Sequence, residues 1–209
     1  MKAVVIIPVK TFSNSKTRLH LSEKKTNELC KLLLEEVIMT ISKSKLINKI
    51  IVVTNEEQVS DIIKKYDCKK IQDSNEISVN NAVGLAEKYL LENNFTHSIV
   101  LPLDIPFFYY EDLEKLLNFS SEKSVLIVPS RRFDGTNALL RIPINSMKPR
   151  YDEGSHKFQI DSAKNENIKI SIVLIQRLML DLDNIEDIEY ALKQNIKPDL
   201  CARIKKIIE

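Results

Sequence analysis

The sequence predicts an α/β fold: one domain, 1–209, built as a Rossmann-like three-layer sandwich on a mostly parallel sheet. Three observations carry this. The segments "AVVIIPV" (3–9), "KIIVVT" (49–54) and "SIVLPLD" (98–104) are apolar without alternation, the signature of strands buried on both faces. Segments with apolar residues at helical spacing lie between them, which implies βαβ crossovers. At 209 residues the chain is long enough for one well-packed α/β domain and short for two.

Each element has its own warrant. After the first strand, Leu29, Leu32, Leu33, Val37 and Ile41 form one stripe of a helix spanning about 22–42, with Ser22 as N-cap. The second strand, 49–54, leads to a short helix (VSDIIKKY) and a short third strand, "KKIQD", ending at Asp73. "VNNAVGLAEKYLLEN" is helical, with Val79, Val83, Ala86 and Leu90 on one side. The fourth strand, 98–104, stops at an acid and a proline. "YEDLEKLLNF" is a helix, "VLIVP" (125–129) a strand, and "NALLRI" a further strand after an Asp134-Gly135 turn suited to a hairpin. The 150s are polar and irregular, with a helix expected after Gly154-Ser155, and "LMLDLD" leads into the helix "IEDIEYALKQN".

Composition excludes several classes. With 31 bases and 29 acids the net charge is +2, so nothing in the overall charge calls for nucleic acid or an anionic membrane. No apolar run reaches the length of a membrane span, and no signal-peptide layout opens the chain. Cys30, Cys68 and Cys201 lack paired spacing, which fits a reducing compartment. His20, His97 and His156 are scattered. The three glycines make neither a dinucleotide fingerprint nor a P-loop, so a bound phosphate would be met mainly by side chains. The expectation is a soluble, cytoplasmic protein without nucleic-acid or membrane partners, able to pair as a homodimer.

In a doubly wound sheet, ligands bind beyond the carboxyl ends of the strands. The polar residues collect there. The loop "KTFSNSKTRL" carries Lys10, Lys16 and Arg18 with no acid among them. An extended loop would point Lys16 and Arg18 the same way, offering a point charge and a forked donor to a row of phosphate oxygens. A solvated basic loop is the plainer alternative. Asp104, at the end of an apolar strand, suits Mg²⁺, which takes hard oxygen ligands; a helix cap is the alternative, but the next helix starts later, near Tyr110, which favours the metal role. In "LDLD", Asp181 and Asp183 share one face if the segment is extended. Either could join Asp104 on a metal, or Asp183 or Asn184 could cap the following helix, with Asp181 the functional acid. Thr136 and Asn137 follow the Asp-Gly turn, which does not itself require them. Gly154 and Ser155 precede a helix, where an anion site or an ordinary cap would fit. No His–Asp or Ser–His constellation is visible.

"IPVK…SKTRL", "VNNAV", "LPLDIP", "GTNALL", the Gly-Ser pair and "LDLDNIEDI" occur in an order that resembles the 2-phospholactate/phosphoenolpyruvate guanylyltransferase family of coenzyme F420 biosynthesis, enzymes with a GT-A-like nucleotidyltransferase fold. The resemblance runs from Val4 to about Ala191. It implies that Lys16 and Arg18 hold the GTP phosphates with Lys10 nearby, and that Asn80, together with Asp73, belongs to the nucleotide site. It implies Mg²⁺ on Asp104 and Asp181, Asp183 being the neighbouring candidate. Thr136 and Ser155, beside Asn137 and Gly154, would bind a small phosphorylated acid. The family's "F-G-x-x-S" is Tyr151-Asp152-Glu153-Gly154-Ser155 here, a frequent histidine four residues on is Gln159, and Asn14-Ser15 replaces glycine or alanine. Guanylyl transfer with loss of pyrophosphate is the activity implied, Lys16, Arg18 and Asp104 carrying it. The alternatives are a nucleotidyltransferase for molybdenum cofactor or a sugar phosphate, and a non-catalytic nucleotide-binding module.

Overall fold

A computed structural model describes residues 2–151 and 156–209. Its seven strands form one sheet in the order β3-β2-β1-β4-β6-β5-β7. β1 (Ala3–Val9) lies at the centre, parallel to β2 (Ile47–Thr54) and to β4 (His97–Val100). β2 pairs in parallel with the edge strand β3 (Lys69–Gln72). β6 (Thr136–Ile142) is the one reversed strand, antiparallel to β4 and to β5 (Ser124–Pro129), while β7 (Lys169–Ile172) adds in parallel to β5.

β1 does not alternate because both its faces are covered. Val5 and Ile7 pack into one core with Leu29, Leu33 and Val37 of α1 (Glu23–Ile41), and with residues of α4 (Tyr110–Asn118), α6 (Ile185–Gln194) and α7 (Pro198–Ile208). Val4 and Ile6 face the other core with Val83, Ala86 and Leu90 of α3 (Val79–Glu92) and Ala163 of α5 (His156–Asn165). Ser22 caps α1 by accepting the Lys25 amide, as its position predicts. The short α2 (Ser60–Lys65) joins β2 to β3.

The structure departs from the sequence reading at the end of β4 and in β7 and α7, and bears out the Asp-Gly hairpin. β4 ends at Val100, the Leu101 amide still donates to the Ile6 carbonyl, and the chain then leaves the sheet through a turn at Leu103 and Asp104. This frees Asp104 from the ladder. The Asp-Gly turn does close a β5–β6 hairpin, and the reversal brings Thr136 opposite Pro129, at the carboxyl-end edge of the parallel strands. β7 and α7 were not anticipated. β7 is four residues long, with a half-exposed Ile172. α7 announces itself only by Pro198 in its first turn and an apolar face on Leu200, Cys201 and Ile204.

Strand order reverses direction between β1 and β4. A crevice at such a switch point is where α/β sheets bind ligands. The loop after β1 carries Lys10 and Lys16, and the turn after β4 carries Asp104.

Candidate active site

The loop after β1 is pinned by Phe12, which is fully buried against the α1 side of the core. The chain then turns: Lys16 has φ 54° in the left-handed region, and Thr17–Leu19 is a single 3₁₀ turn. This corrects the extended-loop expectation. Successive residues of a 3₁₀ turn are about 120° apart, so Lys16 and Arg18 diverge. Lys16 points inward, its side chain 7% exposed. Arg18 is exposed and has no hydrogen-bond or ion-pair partner among the described residues.

The Lys16 ammonium donates to Asp104 Oδ2 at 2.8 Å and to Asp183 Oδ1 at 3.2 Å. Burial alone would push its pKa down, but the two carboxylates outweigh this and hold it above the ordinary lysine range. The convergence is built from backbone. The Leu182 amide donates to the Asp104 carbonyl at 3.0 Å, stitching the "LDLD" segment to the turn after β4. Leu180 and Leu182 are buried, so Asp181 and Asp183 take the other face. Asn184, not Asp183, caps α6 by accepting the Asp187 amide at 3.1 Å, which leaves the Asp183 carboxylate to Lys16. Asp181 is pushed up to about 6, first by burial and then by the charges of Asp104 and Asp183.

Asp104 and Asp183 line a cleft of about 250 Å³ with Lys10, Lys16, Ser15 and Tyr151. Beside it, Asp73, Lys10, Glu76 and Ser78 line a smaller pocket at the ends of β1 and β3. Asp73 is buried, its Oδ1 accepting from the Glu76 amide and from Asn81 Nδ2. Asn80 Oδ1 accepts the Tyr151 amide at 2.9 Å, tying α3 to the rim of the cleft.

The other candidates stand apart. Thr136 and Asn137 are buried and line neither cavity. Asn137 Nδ2 donates to the Leu178 carbonyl at 3.1 Å, which makes it a strut for the segment leading to Asp181. The Thr136 hydroxyl has no hydrogen-bond partner among the described residues. Gly154 and Ser155 lie outside the described residues. Burial pushes the Cys30 and Cys68 thiols up to about 11, so neither is a ready thiolate nucleophile. The sequence reading missed Glu56 and Glu76, which grip the cationic loop. Both follow strand ends, the same positional signal that singled out Asp73 and Asp104.

The donor set fits a hard divalent cation in part. Two carboxylates already converge on one cationic point, and Asp181 adds a third negative charge against the single Lys16 ammonium. Among the described residues no three His, Cys, Asp or Glu side chains form a ready cage. A small ion would therefore be held by one or two carboxylates and complete its shell with water and ligand oxygens, the habit of Mg²⁺.

Known proteins show the same arrangement of chain. A family model described as "Guanylyl transferase CofC like" matches residues 3–194. The 2-phospho-L-lactate guanylyltransferase of Methanosphaera stadtmanae is 31% identical over 90% of this chain and 82% of its own. The 3-phospho-D-glycerate guanylyltransferase of Colwellia psychrerythraea is 30% identical over 90% of both chains. The phosphoenolpyruvate guanylyltransferase of Conexibacter woesei is 28% identical over 90% of this chain and 86% of its own. A nucleotidyl transferase structure from Methanothermobacter thermautotrophicus superposes with a TM-score of 0.69 at 11% identity, covering 95% of this chain and 99% of that one, a likeness of fold. The family match begins at β1, ends with α6 and takes in Lys16, Asp104 and Asp183 alike, so this chain belongs to the guanylyl transferase CofC-like family.

Proposed function

We propose that this guanylyltransferase joins GMP from GTP to 2-phospho-L-lactate, with phosphoenolpyruvate the next acceptor in order, as a step of coenzyme F420 biosynthesis. A phosphate oxygen of the acceptor attacks the α-phosphorus of GTP. The bond from that phosphorus to the β-bridging oxygen breaks, and pyrophosphate leaves. The attacking phosphate is ionised at neutral pH, so no strong base is needed, and catalysis is positioning and charge neutralisation.

The observation that carries the reading is the Lys16 ammonium held between Asp104 and Asp183 at the β1/β4 switch point, inside a cleft shared with Lys10. Lys10 and Lys16 would face the triphosphate. Arg18, exposed and unpaired among the described residues, is free to fork onto the departing pyrophosphate. Asp73 and Asn80, at the β3 end of the crevice, would border the nucleoside. Thr136, whose buried hydroxyl has no partner among the described residues, and Asn137 would serve the acceptor, together with Gly154 and Ser155, which lie outside the described residues. Mg²⁺, which Asp104 would hold with Asp181 or Asp183, supplies charge neutralisation between two anionic substrates. A single-domain, cytoplasmic homodimer completes the reading.

Relatives named for three different phosphorylated acids support the acceptor class. The test is a pyrophosphate-release assay with GTP, Mg²⁺ and, in separate arms, 2-phospho-L-lactate, phosphoenolpyruvate and 3-phospho-D-glycerate. Release is expected with 2-phospho-L-lactate. Release only with 3-phospho-D-glycerate, or with none of the three, rejects the assignment.

A further inference from the structure

The cationic loop has no acid of its own, yet acids from two other strand ends hold it. We infer that Glu76 and Glu56 form a carboxylate clamp that positions this loop for nucleotide binding, Glu76 linking it to the pocket at Asp73. This rests on the placement of the GTP phosphates at Lys10 and Lys16 proposed above.

Glu56 follows β2 and is buried. Its Oε2 accepts the Phe12 amide at 3.0 Å, and its Oε1 accepts the Gln58 amide at 3.0 Å. Glu76 follows β3, and its Oε1 accepts the Thr11 amide at 2.9 Å and also the Thr11 hydroxyl. Two carboxylates from separate loops thus take two successive amides next to Lys10. Bonds from an amide to an ionised acceptor are shorter and about twice as strong as neutral ones. In a glycine-rich phosphate loop such amides would face the ligand. Here they are occupied, so the phosphates are left to side chains, in keeping with the scarcity of glycine.

A carboxylate beside an anion site is electrostatically adverse unless its lone pairs are committed elsewhere. Glu56 commits both its oxygens to main-chain amides, and Glu76 commits Oε1 to the amide and hydroxyl of Thr11. Glu76 is itself fixed: φ is 43°, in the left-handed region, and its amide donates to Asp73 Oδ1 at 3.2 Å. The same oxygen accepts from Asn81 Nδ2 at 3.3 Å. A continuous path therefore runs from the first turn of α3 through Asp73 and Glu76 to Thr11. Occupancy of the Asp73 pocket and placement of Lys10 are mechanically joined.

Calorimetric titration of GTP into the full-length protein, with hydrogen exchange at Thr11 and Phe12, tests this. Glu76→Ala should weaken GTP binding about tenfold, the worth of one charged hydrogen bond. Glu76→Gln, which keeps a carbonyl acceptor, should stay within about threefold, and Thr11→Val, which removes only the hydroxyl, should lose about as little. Exchange at Thr11 should accelerate in the alanine variant and not in the glutamine variant. Wild-type GTP affinity in Glu76→Ala, or a glutamine variant as weak as alanine, overturns the clamp. If the wild-type protein binds no GTP, the nucleotide assignment falls, and unchanged exchange in Glu76→Ala then overturns the clamp by itself.

Discussion

Lys16 and Lys197 are both buried lysines held by acids, and they sit in opposite electrostatic surroundings. The Lys197 ammonium, at the start of α7, donates to Glu36 Oε1 at 2.7 Å, to Thr40 Oγ1 at 3.0 Å and to the Pro106 carbonyl at 2.8 Å. The rings of Phe108 and Tyr109 each lie 5.6 Å from it. One carboxylate balances one ammonium, all three donors are used, and burial drives its pKa down. Lys16 faces Asp104 and Asp183, with Asp181 behind them, and its pKa is driven up. The larger cleft, about 480 Å³, borders Lys197, not Lys16. Cavity size alone would not single out Lys16. Excess negative charge around a single cation, at a strand-end crevice, is what marks a place prepared for further positive charge and for an anionic ligand. A neutral, donor-saturated pair marks a joint between helices.

Substitutions at the two lysines should therefore separate activity from stability. Lys16→Ala should lower kcat/KM for GTP by about 10²–10³, the usual cost of losing one charged contact to a developing anion, with binding of the acceptor little changed. An alanine variant that turns over normally would erase the distinction. Lys197→Met should leave kcat near wild type but strand buried Glu36, costing roughly 3 kcal/mol and lowering Tm by about 6–12 °C. Adding Glu36→Leu should recover most of that loss, which thermal melts of the single and double variants would reveal.

Two smaller effects sharpen the picture at the Lys16 end. Arg18→Ala should raise KM for GTP about tenfold with kcat within a few-fold, since its exposed side chain contributes nothing visible to the fold. Asp181 titrates near 6 in the fold against an ordinary 3.8, so its contribution to stability is present at low pH and is lost as pH rises through about 6. In metal-free buffer, Asp181→Asn should then raise Tm by about 2–4 °C at neutral pH and by nothing near pH 4. A gain of equal size at both pH values would show that charge crowding is not the cause.

Much of the fold was legible because buried parallel strands and amphipathic helices leave strong local signals. β1 was found to the residue, and so was the capping role of Ser22. β7 and α7 were not, one being a four-residue edge strand and the other depending on packing against α1 for its apolar face. At the site, the residue types and their strand-end positions could be read. Which way each side chain points could not, because that depends on long-range bonds. The 3₁₀ turn that separates Lys16 from Arg18, and the Leu182–Asp104 bond that delivers Asp183, join residues far apart in the chain or hinge on a left-handed backbone. Glu56 and Glu76 were passed over because an acid near a basic loop looks like ordinary surface charge until its partners prove to be the loop's own amides.

The most direct test is the rate of pyrophosphate release by Asp104→Asn beside the wild-type protein, at the same GTP, acceptor and Mg²⁺ concentrations. Asparagine keeps the side chain's shape and removes its charge. A fall of at least about 10²-fold with an unchanged melting temperature is expected if Asp104, Lys16 and Asp183 form one reacting centre. Equal rates in the two proteins would contradict it.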